Sequence, residues 1–179
     1  KGGAPQKKII SIPKLIKYSC TIAQLGSKSV CEFSVPEDLW QVEADSGQIS
    51  LVLSNIVTNA SQAMPKGDII RIAARNFIMD DRQSLPMMPG RYVHISIRDQ
   101  GPGIPEEYLS KIFDPYFTTK NQNSGLGLAA AYSIIKKHNG HIFAKSRPGV
   151  GTTFHIYLPA YGNVIPVKEE ANPLTERGN

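Results

Sequence analysis

The stretch Tyr92-Val-His-Ile-Ser-Ile-Arg-Asp-Gln-Gly-Pro-Gly-Ile-Pro105 predicts a strand that ends in a glycine-rich loop. Its first half alternates branched apolar and polar side chains, which is the period-two pattern of a half-buried strand. The apolar members of this pattern are Val93, Ile95 and Ile97. The strand is predicted to end at Asp99, because two glycines and two prolines follow within the next six residues.

A carboxylate at the end of a strand, beside backbone without side chains, suits a flat polar ligand. Asp99 can accept hydrogen bonds from an amino group, while Gly101 and Gly103 allow a ligand to lie against the main chain. The pattern Asp-x-Gly-x-Gly also fits an ordinary connection between a strand and a turn. The other motifs of the chain must therefore decide between the two interpretations.

The composition is that of one globular domain with an ordinary core. The chain has 179 residues, of which 41% are hydrophobic and 20% charged. No apolar run is long enough to cross a membrane, and the first residues given do not have the pattern of a signal peptide. The net charge of +5 comes from scattered lysines and arginines without interleaved aromatics, which argues against nucleic-acid binding. Cys20 and Cys31 lack metal-ligand spacing and indicate a reducing compartment.

Hydrophobic periodicity predicts alternating helices and strands along the chain. The predicted helices are 12–23, 49–63, 105–110 and 129–138, and the further predicted strands are 30–35, 41–44, 69–77, 141–145 and 152–158. Residues 1–12 are predicted to be a linker, 13–159 one domain, and 160–179 a polar tail or linker.

Two further motifs predict a site for a nucleotide and a metal ion. Asn55 and Asn59 lie one helical turn apart at the margin of an apolar stripe, and their neutral oxygens suit Mg²⁺ shared with phosphates. Gly125 and Gly127 open a helix, whose N–H groups and positive dipole end favour phosphate. The motif is not a P-loop, because Leu128 follows Gly127 where lysine is required. It is not a Rossmann fingerprint either, because a loop rather than the first strand of a βαβ unit precedes it.

Taken in this order, the motifs resemble the catalytic ATP-binding domain of sensor histidine kinases of the nitrogen-regulation type. The same superfamily includes gyrase, heat-shock chaperone and mismatch-repair ATPases. The matching segments are the N box at 55–63, the first glycine box at 99–104, the phenylalanine box at 112–120, the second glycine box at 124–128 and Gly-x-Gly-Thr-Thr-Phe at 149–154. The resemblance implies a Bergerat-type ATP-binding fold, an α/β two-layer sandwich with helices on one face of a mixed β-sheet.

The resemblance also implies a role for individual residues. Asp99 would accept a hydrogen bond from the adenine amino group, and Thr153 would lie near the same ring through water. Asn59 would hold Mg²⁺, Asn55 would support the metal or phosphate, and Lys120, in a loop that acts as an ATP lid, would approach the terminal phosphate. The other implied ligand contacts are Gly101, Gly103, Ile104, Ser124, Gly125, Leu126, Gly127 and Leu128. Asn123 and Gln62 depart from the commonest family pattern, where glycine and lysine are usual.

The implied activity is transfer of the terminal phosphoryl group of ATP–Mg²⁺ to a histidine on a helical hairpin that precedes residues 1–12. None of the four histidines here has the sequence context of that acceptor. A response-regulator receiver domain is the second implied partner, either as a separate protein or in the same chain beyond residue 160. The expected location is the cytoplasm, or the cytoplasmic part of a membrane-anchored sensor.

Two other functions compete with the kinase. A hydrolytic ATPase of the same superfamily would place a glutamate one turn before the metal asparagine, where this chain has Asn55. A non-catalytic docking module would use the fold for protein contacts alone, and its nucleotide affinity would distinguish it.

Overall fold

The computed structural model describes residues 3–118 and 125–162. The strands in these segments are β1 (Lys8–Ile10), β2 (Val30–Ser34), β3 (Val42–Ala44), β4 (Ile69–Met79), β5 (Gly90–Arg98), β6 (His141–Arg147) and β7 (Gly151–Pro159). The helices are α1 (Ile12–Gln24), α2 (Ser46–Ala63), α3 (Glu106–Leu109) and α4 (Gly127–Lys137). The predicted helices and strands are thus present, with shifted ends.

Five strands form a mixed sheet in the order β2-β4-β5-β7-β6. The β2 strand runs parallel to β4, and the other neighbouring pairs are antiparallel. Buried residues of α1, α2 and α4 join the inward-facing residues of this sheet in one core. The predicted two-layer sandwich of helices on a mixed sheet is therefore confirmed.

Helix α2 forms the centre of the helical layer, against both α1 and α4. It begins after Asp45, whose side chain accepts a 3.1 Å hydrogen bond from the N–H of Gln48 and so caps the first turn. Its buried apolar stripe consists of Ile49, Val52, Leu53, Ile56, Val57 and Ala60. Each fully buried valine, leucine or isoleucine contributes about 1.5–3 kcal/mol relative to exposure, so this stripe holds the helix on the sheet.

The strands β5 and β7 pair in the middle of the sheet and send alternate side chains to opposite faces. The residues that enter the core are Val93, Ile95 and Ile97 from β5, and Phe154, Ile156 and Leu158 from β7. Because the pairing of β5 with β7 runs up to Arg98 and Thr153, Asp99 and Thr152 lie side by side just beyond its last pair. The pairing of the two strands therefore places these two polar residues next to each other.

Residues 1–12 differ from the predicted linker, because β1 pairs with β3 in a separate two-stranded sheet, with Lys8 opposite Ala44. A strand of three residues that pairs with a distant segment carries no local periodic signal. The first two residues of the predicted tail, Ala160 and Tyr161, are also bonded to the domain. Ala160 N–H donates to the carbonyl of Arg91 at 2.9 Å, and Tyr161 N–H donates to the carbonyl of Gln41 at 2.7 Å. Residues 163–179 lie outside the described segments.

Both cysteines are reduced thiols in the structure. Burial raises the pKa of Cys31 to about 11 and that of Cys20 further still. Both therefore behave as small neutral side chains at neutral pH. Among the helices of the described segments, none has both the length and the apolar character needed to cross a membrane.

Candidate functional site

A cavity of about 500 Å³ lies between α2, the loop that follows β5 and the start of α4. Eight of the predicted site residues line it: Asn55, Asn59, Asp99, Gly103, Ile104, Gly125, Gly127 and Leu128. Residues that are distant in sequence thus meet around one space. Lys120 and Ser124 lie outside the described residues.

Asp99 is held at one end of the cavity by backbone hydrogen bonds. Its side chain is buried, and its Oδ1 accepts from the N–H of Gly101 at 2.9 Å and from the N–H of Thr152 at 3.3 Å. Its own N–H donates to the carbonyl of Thr152 at 2.9 Å. These contacts fix the orientation of a carboxylate that can only accept hydrogen bonds.

The loop after Asp99 needs glycine at two positions because other backbone lies against it. A Cβ on Gly101 would lie 2.8 Å from the Cβ of Ala63 in α2, so the loop could not keep this place. Gly103 has a φ of 77°, and a Cβ there would collide with the carbonyl of Arg147. Gly101 does not line the cavity itself, but it allows the loop to do so.

Thr152, rather than Thr153, is the threonine beside Asp99. Thr152 is buried and lines the cavity, whereas Thr153 lies in a separate hollow beside Arg98 and Lys145. Thr152 and Thr153 point to opposite faces because successive residues of a strand do so, and the structure thus brings Thr152 rather than the predicted Thr153 to the cavity. The role predicted for Thr153 near a base stays a prediction. The buried alternation of Phe154 with Ile156 and Leu158 was the signal that places Thr152 on the inner face.

The opposite end of the cavity is built from α2 and the first turn of α4. The Asn55 side-chain amide donates a 2.9 Å hydrogen bond to the carbonyl of Gly127, which leaves its Oδ1 as an acceptor. Asn59 lines the same wall one turn along α2. Helix α4 begins at Gly127 with no side-chain cap, so this end combines amide oxygens with a helix N-terminus.

Apolar side chains form the walls between the two ends, and they include Ile112, Phe117 and Phe154. The N–H of Tyr116 donates to the carbonyl of Gly125 at 3.1 Å, which joins the two backbone segments on either side of 119–124. Leu126 occupies the N-cap position of α4 without a capping hydrogen bond from its side chain, and it does not line the cavity.

Sequence reasoning did not assign site roles to several other lining residues. Three of them belong to α2 and lie three or four residues after an asparagine of the pair: Thr58, Gln62 and Ala63. Because residues at these spacings share a helix face, the position of Asn55 and Asn59 already contained the signal for them. The histidines, by contrast, all lie outside the lining of the cavity.

Comparison with known proteins agrees with this architecture. The sequence model of the histidine kinase-, DNA gyrase B- and HSP90-like ATPase family matches residues 44–162. Sensor kinase CckA of Brucella abortus (strain 2308) is 44% identical over 127 residues, which are 68% of this chain and 13% of CckA. Sensor histidine kinase ZraS of Escherichia coli (strain K12) is 33% identical over 153 residues, which are 84% of this chain and 30% of ZraS. This chain thus spans less than a third of the length of either relative.

Solved structures of kinase domains have the same fold. The catalytic domain of histidine kinase ThkA superimposes with a TM-score of 0.69 at 31% identity, over 87% of this chain and 96% of that one. The mycobacterial sensor histidine kinase MprB gives a TM-score of 0.68 at 27% identity, over 86% and 97% of the two chains. The finer assignment to the nitrogen-regulation type stays a prediction. The chain belongs to the histidine kinase-, DNA gyrase B- and HSP90-like ATPase family, and its relatives within that family are sensor histidine kinases.

Proposed function

We propose that this chain binds ATP with Mg²⁺ and donates the terminal phosphoryl group to a histidine on a separate helical hairpin. The polarity of the cavity carries the proposal. One end holds a buried carboxylate in a fixed orientation, and the other combines two asparagines with the N-terminus of α4. ATP has the complementary order, with an amino-bearing ring at one end and phosphates at the other.

The residues around Asp99, at the end of the cavity that we call the base end, fit an adenine ring. A buried carboxylate requires donors around it, and the exocyclic amino group of adenine is a donor. Apolar side chains of Ile112 and Phe154 line the adjoining walls, which suits a flat ring. Asp99 is therefore the proposed contact to the base, with Thr152 beside it in place of Thr153.

The residues at the other end fit phosphates and Mg²⁺. Oxygen donors such as those of Asn55 and Asn59 match the preference of Mg²⁺ for hard ligands, and the N–H groups at the start of α4 favour phosphate oxygens. When bound, the ion neutralises charge on the phosphates and polarises the terminal one. Within this chain, Asn55 has a second task, because its bond to the Gly127 carbonyl fixes α4 against α2.

The acceptor must lie outside this cavity. Transfer needs a nucleophilic nitrogen roughly 3–3.5 Å from the phosphorus. None of the four histidines lines the cavity, and His138 follows the last residue of α4, about 16 Å from its N-terminus at a rise of 1.5 Å per residue. His138 is also occupied, since its Nε2 accepts from the N–H of Asp45 at 3.0 Å. A histidine supplied by another segment or chain is therefore required.

Hydrolysis is the weaker alternative. A water molecule at the phosphate end would need a general base, and the amide of Asn55 cannot accept a proton. Of the described residues that line the cavity, Asp99 is the one carboxylate, and its backbone contacts hold it at the base end. Slow background release of phosphate is expected.

Incubation with radiolabelled ATP–Mg²⁺ tests the proposal, with and without a phosphoacceptor hairpin from a sensor kinase as a separate protein. Label that is labile to acid should appear on the hairpin and not on this chain. Acid-labile label on this chain alone, or rapid release of phosphate without the hairpin, would contradict it. Failure to bind ATP at all would favour the non-catalytic docking module.

Several finer parts of the proposal lie outside the described residues or outside this chain. Lys120 is proposed to approach the terminal phosphate and Ser124 to contact the phosphates. Replacement of Lys120 by alanine should therefore lower the transfer rate and leave affinity for adenosine nearly unchanged. We also propose a receiver domain as the next partner and the cytoplasm as the compartment. Both proposals rest on the relationship of this chain to sensor kinases.

A further inference from the structure

Ser146 joins three segments that surround the base end of the cavity. The residue lies near the end of β6. Its Oγ accepts a 2.7 Å hydrogen bond from the N–H of Ile104 in the loop 100–105, here called the glycine loop. The same oxygen lies 3.1 Å from the carbonyl of Gly151 and 2.8 Å from the hydroxyl of Thr152. Its side chain does not line the cavity, whereas Thr152 and Ile104 do.

Only one arrangement of hydrogens makes all three contacts hydrogen bonds. A carbonyl oxygen can only accept, so the single hydrogen of Ser146 must point to Gly151. The contact between the two hydroxyls then needs the hydrogen of Thr152, which donates to Ser146. In this arrangement Ser146 accepts two hydrogen bonds and donates one, which uses its full capacity.

This arrangement decides what Thr152 offers to a ligand. Its one hydroxyl hydrogen is committed to Ser146, so any ligand atom that meets this hydroxyl meets a lone pair. The neighbouring Asp99 carboxylate can also only accept. The polar side chains of Asp99 and Thr152 therefore form an acceptor pair, which favours an amino group and disfavours a carbonyl oxygen at the same place.

We propose that Ser146 is a positioning residue that sets base specificity, because it holds the hydroxyl hydrogen of Thr152 away from the ligand. This inference rests on the proposed function and adds a determinant of selectivity that does not touch the base. The ligand class it selects is a nucleotide whose purine carries an exocyclic amino group at the site of Asp99. Hypoxanthine has a carbonyl oxygen in place of that amino group, and the site should therefore bind it more weakly than adenine.

Replacement of Ser146 by alanine should lower the discrimination between ATP and ITP. Thr152 could then turn its hydrogen towards the carbonyl oxygen of hypoxanthine. The ratio of the two dissociation constants should fall by about three- to tenfold, which corresponds to one neutral hydrogen bond. Both affinities should also fall, because the N–H of Ile104 and the carbonyl of Gly151 lose a partner. The ratio of the dissociation constants for ITP and ATP reports the loss of discrimination separately from this general loss of affinity.

The test is a double-mutant cycle with Ser146→Ala, Thr152→Val and the double variant, measured by calorimetry with ATP–Mg²⁺ and ITP–Mg²⁺ after circular dichroism confirms folding. Valine removes the Thr152 hydroxyl and keeps its shape. Ser146→Ala should change the ratio only when Thr152 is present. The same change in the Thr152→Val background, or no change at all, would overturn the inference while ATP binding to the wild type upheld the proposed function.

Two further outcomes of the binding measurements would also decide the inference. If the wild type binds neither nucleotide, the proposed function and this inference fail together. If Ser146→Ala does not fold, Thr152→Val alone decides, because removal of an acceptor should weaken ATP and leave ITP unchanged or improved. A selective loss of ITP in Thr152→Val would show that the hydroxyl donates to the ligand, and would overturn the assignment.

Discussion

The two faces of the five-stranded sheet hold polar groups in different ways. On the inner face, polar side chains stand where the strands end, and backbone groups fix them: Asp99 accepts from two backbone N–H groups, and Ser146 bonds to backbone of the glycine loop. On the outer face, His94 lies within β5 and is held by side chains, with Arg75 Nε–H donating to its Nδ1 at 3.1 Å. Backbone amides do not take up protons as the pH falls, whereas an imidazole does, and for His94 this occurs only in acid because its pKa is lowered to about 4.

The difference explains which face suits a binding site. Backbone donors hold the side chains at the base end of the cavity in one arrangement before a ligand arrives. Binding therefore costs little further loss of side-chain freedom. The outer face is instead an aromatic stack, in which the ring of His94 lies 4.4 Å from that of Tyr157 and 5.1 Å from that of His155. Two of its members are imidazoles, which can take up a proton as the pH falls. Changes on the inner face should therefore affect ligand binding, and changes on the outer face should affect stability.

The largest effect is expected for Asp99→Asn, which should abolish measurable ATP binding. Two backbone N–H groups already point at the carboxylate, so an amide must turn its own NH₂ either towards them or towards the amino group of the base. Loss of a charge-assisted bond together with mismatched donors should cost roughly 2–4 kcal/mol, or about 30- to 1000-fold in affinity. Calorimetry that gave the wild-type affinity would remove Asp99 from the base end.

Asn59→Ala should separate the two ends of the cavity. Loss of one polar contact to a charged group should weaken ATP–Mg²⁺ binding on the order of tenfold. Adenosine lacks the phosphates and should bind as to the wild type. Titrations of ATP with Mg²⁺ and with EDTA provide the measurement, and the variant should respond less to Mg²⁺. An equal loss for adenosine would mean that Asn59 supports the fold of the cavity rather than a metal ion.

Gly101→Ala tests the close approach of the glycine loop to α2. The new Cβ would lie 2.8 Å from Ala63, so the loop must move and carry one donor to Asp99 with it. A loss of one such hydrogen bond, about 0.5–1.5 kcal/mol, predicts about a two- to tenfold weaker affinity for ATP. Gly47→Ala is the matched control, since the nearest atom to its Cβ is 3.5 Å away and alanine favours helix. Equal affinities of the two variants would contradict the packing argument.

The sequence predicted the inner face better than the outer one. Branched apolar residues at every second position of β5 decided the strand, its inward side and the place of Asp99 at its end. Helical spacing likewise placed Asn55 and Asn59 on one wall of a cavity. These features depend on the chain within a few residues, so a local pattern can reveal them.

Features that depend on pairing between distant segments were missed. The three residues of β1 have no pattern of their own and exist because β3 is beside them. The choice between Thr152 and Thr153 depends on strand parity, and the role of Ser146 depends on three segments that meet only in the fold. On the outer face, the alternation of His94 and Ser96 indicated a polar exposed side, whereas His94 is buried in an aromatic stack.

The smallest effect on ligand binding is expected for His94→Phe, which should instead change the pH dependence of stability. Burial, His155 and Arg75 lower the pKa of His94 to about 4. Burial and the nearby cations Lys145 and Arg75 also lower the pKa of His155. The folded protein therefore disfavours the charged imidazole of His94. Its contribution to stability is complete above the unfolded pKa of about 6.5 and is lost as the pH falls towards 4.

Phenylalanine keeps a flat ring for the stack on Tyr157 and cannot take up a proton. The free energy of unfolding should therefore fall less between pH 6.5 and pH 4 in the variant than in the wild type, with a remaining slope from His155. Chemical denaturation at several pH values is the measurement. Parallel pH profiles would show that His94 does not couple proton uptake to unfolding. ATP affinity at pH 7.5 should be unchanged, because the ring lies on the face of the sheet opposite the cavity, and a loss of affinity there would mean that the two faces are energetically coupled.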